Sequence, residues 1–201
     1  MSKRKRRRRR RIRIILISSI ILLVLVITIL VVRQVGMRVQ RDLALRYPMS
    51  YEALIRSNAG AFGLEPAYVA GVVLAESSFD PEAVSSADAR GLMQLLPSTA
   101  GWIAEKLGEE FSEERLFDPE TNLRYGCWYL QFLMNRYSDI KKNASAAYHA
   151  GQGTVDKWLG NPEYSADGIT LDVIPYASTD AYVQRVLDNY EKYSELYANE
   201  D

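Results

Sequence analysis

Residues 14–32 are nineteen consecutive positions of Ile, Leu and Val interrupted only by Ser18, Ser19 and Thr28. At about 1.5 Å per residue a helix over this run reaches roughly 28 Å, close to the thickness of a bilayer's hydrocarbon core. It predicts one transmembrane helix. Directly before it, residues 3–13 hold ten of the chain's 25 Lys and Arg. Anionic lipid retains such a block on the cytoplasmic side. The orientation that follows is single-pass in the cytoplasmic membrane, with the carboxyl-terminal domain extracytoplasmic. After the run the chain reads Val32-Arg33-Gln34-Val35-Gly36, without the small-x-small pattern of a cleavage site, which predicts an uncleaved signal anchor. The basic block therefore has a topological use, and no nucleic-acid partner is expected.

A formal net charge of zero conceals this division, because residues 33–201 carry 15 basic against 25 acidic residues, a net −10. The single Cys127 excludes an intrachain disulfide, and with only His149 beside it there is no cluster for a structural zinc. Stability must come from one hydrophobic core.

Four segments are expected: 1–13 basic, 14–32 membrane-spanning, 33–47 a polar stalk, and 48–201 a single all-α domain of about seven helices. Its first helix opens near Pro48 with Ser50 as a cap and ends at Gly60 and Gly63. The second opens at Pro66, a favoured first helical residue, and runs to about Ser77, apolar on nearly every side and hence central. Residues 79–90 lack periodicity and predict a loop or very short hairpin. A third helix follows from Pro97 to Gly108. Asp118 caps a longer one in which Leu123, Cys127, Leu130, Met134 and Tyr137 form a buried stripe, making Cys127 a core thiol. Two shorter helices cover 142–150 and 154–159, and Thr179 is expected to cap the last. Period-two alternation is nowhere sustained.

Glu76 interrupts this pattern. It lies at the end of the apolar second helix on the face of Val69, Val72 and Val73, where packing calls for an aliphatic residue. Desolvation and the negative end of the helix dipole both raise a carboxyl pKa there, giving the neutral acid that protonation of a glycosidic oxygen requires. Taken alone, the same residue also reads as a surface Glu or one half of a buried ion pair.

The surrounding sequence carries a resemblance. The blocks Glu76-Ser77-Ser78-Phe79-Asp80-Pro81-Glu82-Ala83-Val84-Ser85, Gly91-Leu92-Met93-Gln94-Leu95-Leu96-Pro97-Ser98-Thr99-Ala100 and Ala147-Tyr148-His149-Ala150-Gly151 resemble, in order and spacing, those of the soluble lytic transglycosylases. Ile174-Pro175-Tyr176 with Tyr182-Val183 is similar to that family's closing motif. The likeness covers roughly residues 50–195. It implies a lysozyme-like helical fold, peptidoglycan glycan strands as the partner, and cleavage that leaves 1,6-anhydro-muramic acid ends, with no cofactor and no metal. By the same resemblance Glu76 is the catalytic acid and then base, while Ser77, Ser85, Met93, Gln94, Tyr148 and His149 are substrate-binding. Readings from the residues themselves stay open beside it: Met93 as a core methionine, Ser77 as a helix-end cap, His149 as a second base, and Trp102, Trp128 and Trp158 as core rather than sugar platforms.

Two positions depart from the family pattern. His149 stands where the family usually has Asn, and Ser178 where it usually has Glu. The alternatives are a hydrolytic muramidase, which needs a second carboxylate and has Asp80, Glu82 and Asp88 nearest in sequence, and a weakly active wall-binding module within a cell-envelope protein complex.

Overall fold

The computed structural model describes residues 3–197, with side-chain surroundings from Leu16 onward except at positions 40 and 44. Contacts divide the chain into two units, Met1–Pro48 and Met49–Asp201.

The first unit is one helix, α1 (Lys3–Arg46). Within it Leu16–Leu43 is long and apolar enough to cross a membrane, and residues 16–39 are all exposed. Residues 33–46 of the expected stalk are helical and continue α1. Apart from Gly36, residues 33–46 contain nothing that opposes helix, and Pro48 then ends it by lacking an amide hydrogen and restricting the residue before it. The surroundings of basic residues 3–13 lie outside the described side chains.

The second unit is all-α: α2 (Glu52–Ala61), α3 (Pro66–Ser77), α4 (Pro97–Leu107), a 3-10 turn (Glu113–Phe117), α5 (Pro119–Arg136), α6 (Lys141–Ala150), α7 (Gln152–Leu159) and α8 (Ala177–Tyr197). These seven α-helices match the expected number, and no strand occurs among the described residues. Isolated bridges from Arg90 to Val84 and Leu95 are the only β pairing there, inside the predicted loop.

Helix α3 is central, with Tyr68 through Val73 all buried. Its main partner is α8. The two backbones meet at Gly71, where a β-carbon would lie 3.0 Å from the Tyr190 amide nitrogen and 3.2 Å from the Val186 carbonyl, so any larger residue would have to push the helices apart by a few tenths of an ångström. Asn189 seals the contact, its Nδ2 donating to the Gly71 carbonyl at 3.2 Å. On the other side Tyr68 reaches α6, its hydroxyl 2.8 Å from Ser145 Oγ.

Local signals were obeyed unevenly. Asp118 caps α5, its carboxylate accepting from the Thr121 amide at 2.9 Å, and Cys127 is fully buried in the expected stripe. Ser50 does not cap α2: the helix starts two residues later, behind Tyr51 in a left-handed conformation at φ 60°. Thr179 does not cap α8, which begins at Ala177 and leaves Thr179 buried within its first turn.

The loop between α3 and α4 is held from α5. Asn122, fully buried, accepts from the Met93 amide at 2.8 Å and donates through Nδ2 to the carbonyls of Arg90 at 2.9 Å and Leu116 at 2.8 Å. Gly91 at φ 75° lies against it, and a β-carbon there would come within 2.3 Å of Asn122 Nδ2. Replacing Asn122 with Ala strands three backbone groups away from water, each costing about 1–3 kcal/mol when unsatisfied. Urea unfolding of the full chain in detergent should register a loss of about 3 kcal/mol or more. A loss below about 1 kcal/mol would mean that the loop is organised by something else.

Candidate active site

The last turn of α3 presents Glu76, half-buried. Beyond it Ser78 and Phe79 both take positive φ, 53° and 65°. These consecutive left-handed residues turn the chain sharply, leaving the carboxyl at a helix end rather than inside a longer helix. Opposite, α8 supplies Tyr182, whose hydroxyl donates to Glu76 Oε1 at 2.6 Å. Burial pushes the Glu76 carboxyl up to about 7, while the Tyr182 hydrogen bond and the positive charge of Arg185 pull it down. The group is thus poised between acid and base near neutrality, where general acid–base transfer is most effective.

The end of α6 completes the surroundings. Tyr148 is half-buried and donates its hydroxyl to the Met93 carbonyl at 2.8 Å. Its own pKa lies well above the ordinary phenol value, through burial and then the charge of Glu76, so it stays a neutral donor. The neighbouring His149 is exposed, with Nδ1 3.0 Å from Thr179 Oγ1 and its ring 4.7 Å from that of Tyr182. Partial burial of the imidazole and then Arg185 hold its pKa below the usual range, which favours the neutral ring. A line of contacts therefore runs from Thr179 through His149 and Tyr182 to Glu76.

The other residues named by resemblance serve the loop between α3 and α4. Ser77 Oγ donates to the Leu92 carbonyl at 2.8 Å, tying that loop to the end of α3. Ser85 Oγ accepts from the amides of Ala89 at 3.0 Å and Ala87 at 3.2 Å, shaping a turn within the loop. Gln94, left-handed at φ 48°, donates from Nε2 to the carbonyls of Ala83 at 2.9 Å and Gly91 at 3.1 Å. Met93 is fully buried, its sulfur where a β-carbon on Gly126 would have to sit; it reaches Tyr148 through its carbonyl. The structure thus gathers Glu76, Tyr148 and His149 with α8 and gives Ser77, Ser85, Met93 and Gln94 positions that shape the wall beside them.

The three acidic residues nearest in sequence are all exposed. Asp80 accepts from the Glu82 amide at 3.0 Å, and Asp88 pairs with Arg90 at 3.0 and 3.1 Å. Among the described residues there is no group of three or more His, Cys, Asp and Glu able to hold a metal ion. Burial raises the Cys127 thiol to about 12, leaving no thiolate for chemistry. Sequence reasoning did not single out the partnerships of Tyr182 with Glu76 and of Thr179 with His149. The signal available was the Tyr182-Val183 pair of the closing motif, but its role needed the crossing of α8 over α3.

A mainly helical domain with one raised carboxyl at the end of its central helix, beside tyrosines and a short polar loop, defines a lysozyme-like class of site. The family described as the transglycosylase SLT domain matches residues 53–169, more than half of the chain, which belongs to that family. The soluble lytic murein transglycosylase of Escherichia coli K12 is 33% identical over 153 residues, covering 74% of this chain and 24% of its own length. Membrane-bound lytic murein transglycosylase C of Yersinia pestis is 36% identical over 135 residues, 62% of this chain and 38% of its own. Among solved structures, an inactive Glu-to-Gln mutant of lytic transglycosylase Slt from Pseudomonas aeruginosa superposes with a TM-score of 0.69 at 34% identity, over 76% of this chain and 25% of that one. The chain thus spans about a quarter of the length of these soluble relatives.

The raised carboxyl has a measurable cost. Between its ordinary value of 4.5 and about 7, the folded chain holds a proton on Glu76 that the unfolded chain has released. Stability contributed by this group is present below that window and falls as pH rises through it. Glu76→Gln removes the dependence. The variant should be more stable than the parent at pH 8, by about 3 kcal/mol, and near parity at pH 4, as read by denaturant titration; equal stability at both pH values would contradict the raised pKa.

Proposed function

We propose that this chain is a membrane-anchored lytic transglycosylase that cleaves the β-1,4 bond between N-acetylmuramic acid and N-acetylglucosamine in peptidoglycan without adding water. The observation that carries the reading is Glu76, a half-buried carboxyl with a pKa near 7 and a hydroxyl donor at 2.6 Å, in a chain of the SLT family.

The chemistry needs one group that first gives and then takes a proton. Protonated Glu76 delivers its proton to the glycosidic oxygen as the bond to the muramic acid anomeric carbon breaks. The substrate's own 2-acetamido oxygen attacks that carbon, in place of the protein nucleophile of the two-carboxylate scheme. Glu76, now ionised, removes the proton from the C6 hydroxyl. The C6 oxygen then closes on the anomeric carbon and expels the acetamido oxygen, leaving a 1,6-anhydro end and Glu76 protonated again. Tyr182 supports both halves, because its hydrogen bond favours the ionised carboxylate while burial favours the neutral acid. The neutral phenol of Tyr148, the His149 imidazole and the loop carrying Ser77, Ser85, Met93 and Gln94 are assigned to substrate positioning. No cofactor or metal takes part.

The exposed settings of Asp80, Glu82 and Asp88 favour this route over a muramidase, since none occupies a site comparable to that of Glu76. Helix α1 anchors the chain in the cytoplasmic membrane as a single-pass helix, with residues 3–13 on the cytoplasmic face and the domain outside, where the wall lies.

Purified peptidoglycan incubated with the full chain in detergent should release muropeptides one water lighter than hydrolytic products and resistant to borohydride reduction. Glu76→Gln should lower the rate by at least about 100-fold, the smaller end of general acid–base contributions. Predominantly reducible ends would replace the transglycosylase with a muramidase, and an undiminished Glu76→Gln variant would displace the assigned acid.

The topology is tested separately, by adding protease to wall-stripped cells. The domain should be digested while a fragment containing α1 stays in the membrane. A protected domain would reverse the orientation, and release of a shortened soluble chain during export would replace the anchor with a cleaved signal.

A further inference from the structure

Few groups around Glu76 carry a charge. Helix α8 brings Tyr182 and Arg185, and α6 brings Tyr148 and His149, with Tyr68 of α3 and Cys127 and Tyr129 of α5 close enough to act electrostatically on the two site phenols. Burial raises the pKa of each phenol in this set and of the thiol, so all are neutral at pH 7. The pKa of His149 is held low, which favours its neutral ring. On the loop side Asp80, Glu82 and Asp88 are exposed, and Asp88 is paired with Arg90. Arg185 is therefore the cation of the site.

Its guanidinium is not committed elsewhere. Arg56, Arg90, Arg124 and Arg136 each pair with a carboxylate. Among the described residues Arg185 makes no ion pair or hydrogen bond, although residues 33–201 are net acidic. It lies instead over the ring of Tyr182, three residues earlier on α8, with Cζ 5.9 Å from the ring centroid. A cation on a ring face draws electron density from the phenol and strengthens its hydroxyl as a donor. That hydroxyl is the one that donates to Glu76 at 2.6 Å. The same positive charge also favours the ionised carboxylate directly.

Two routes thus lead from Arg185 to one carboxyl, through the Tyr182 ring and across the site. We propose that Arg185 is a positioning residue for the proton transfer, stabilising the Glu76 carboxylate by both routes as the proton leaves for the glycosidic oxygen. In that step the O–H bond of Glu76 breaks while the leaving oxygen gains the proton, and the negative charge left on the carboxyl is the one the guanidinium attracts. The assignment deepens the glycan-cleaving reading and rests on it for the reaction served.

The test compares the full chain in detergent with Arg185→Met and Arg185→Lys, both at an exposed position. With glutamate labelled by carbon-13 at the side-chain carboxyl, the resonance missing from Glu76→Gln identifies Glu76, and its titration is followed by NMR. Arg185→Met should raise the midpoint by about half a pH unit, the effect of an opposite charge reduced by solvent screening. Arg185→Lys, which keeps the charge, should return it towards the parent's value. On peptidoglycan, Arg185→Met should lower the rate at pH 5 about two- to threefold, because a weaker acid gives up its proton more slowly, and carry the alkaline fall in rate to higher pH. A fold defect would lower the rate at every pH and move no midpoint. Equal midpoints in the parent and Arg185→Met, or midpoints displaced alike by Met and Lys, would overturn the role of the charge. A displaced midpoint with an unchanged rate profile would overturn its part in proton transfer. A displaced midpoint in a chain that cuts no glycan would lose the transglycosylase reading and keep the coupling of Arg185 to Glu76. A chain that cuts while Arg185→Met changes neither midpoint nor rate would lose only Arg185.

Discussion

The hydrogen bond from the Tyr182 hydroxyl to Glu76 Oε1 joins the last turn of α3 to the second turn of α8 across 106 residues of chain. Much of the structure can be read as what that bond requires. A carboxyl at the end of an apolar helix is unstable as an anion without a donor and inert as an acid if too many donors surround it. One phenol, itself kept neutral by burial, meets both conditions. For Tyr182 to arrive there, α8 must lie close along α3. Gly71 permits that closeness, and the Asn189 amide secures it.

A second constraint governs the other wall. The loop between α3 and α4 contains no regular ladder, and five of its residues, Ser78, Phe79, Asp88, Gly91 and Gln94, take positive φ. Such a segment does not hold its shape through local hydrogen bonding alone. Asn122 supplies it with partners from α5, while Ser77, Ser85 and Gln94 close it on itself and on the end of α3. The polar residues of the motif are thus largely committed to making the loop rigid, which is what a precise site demands of the residues behind it. Rigidity suits the role proposed for Glu76, because a proton can pass to and from one carboxyl only if the reacting atoms stay within hydrogen-bond reach of it.

Charge separates the two units as clearly as contacts do. The basic residues crowd at the amino terminus, and the remaining chain is net acidic. The apolar helix between them carries the features expected of an element that meets lipid: exposed side chains over residues 16–39, and ten Lys and Arg crowded into residues 3–13 at its amino-terminal end.

Periodicity and punctuation in the sequence determined most of the helices. Pro66, Pro97 and Asp118 marked starts, and the stripe through Leu123, Cys127, Leu130 and Met134 marked a buried face, because these signals act within one or two turns. Glu76 was legible for the same reason, as a carboxyl where its own helix wanted an aliphatic residue. Two caps read from a single polar residue did worse: Ser50 and Thr179 do not cap. Partnership was beyond local reading altogether. That Tyr182 serves Glu76, that Thr179 serves His149 rather than its own helix end, and that Met93 offers its carbonyl while its side chain fills the space over Gly126 depend on how helices distant in sequence cross. Those crossings are set by the packing of whole faces, so only the tertiary structure decided them.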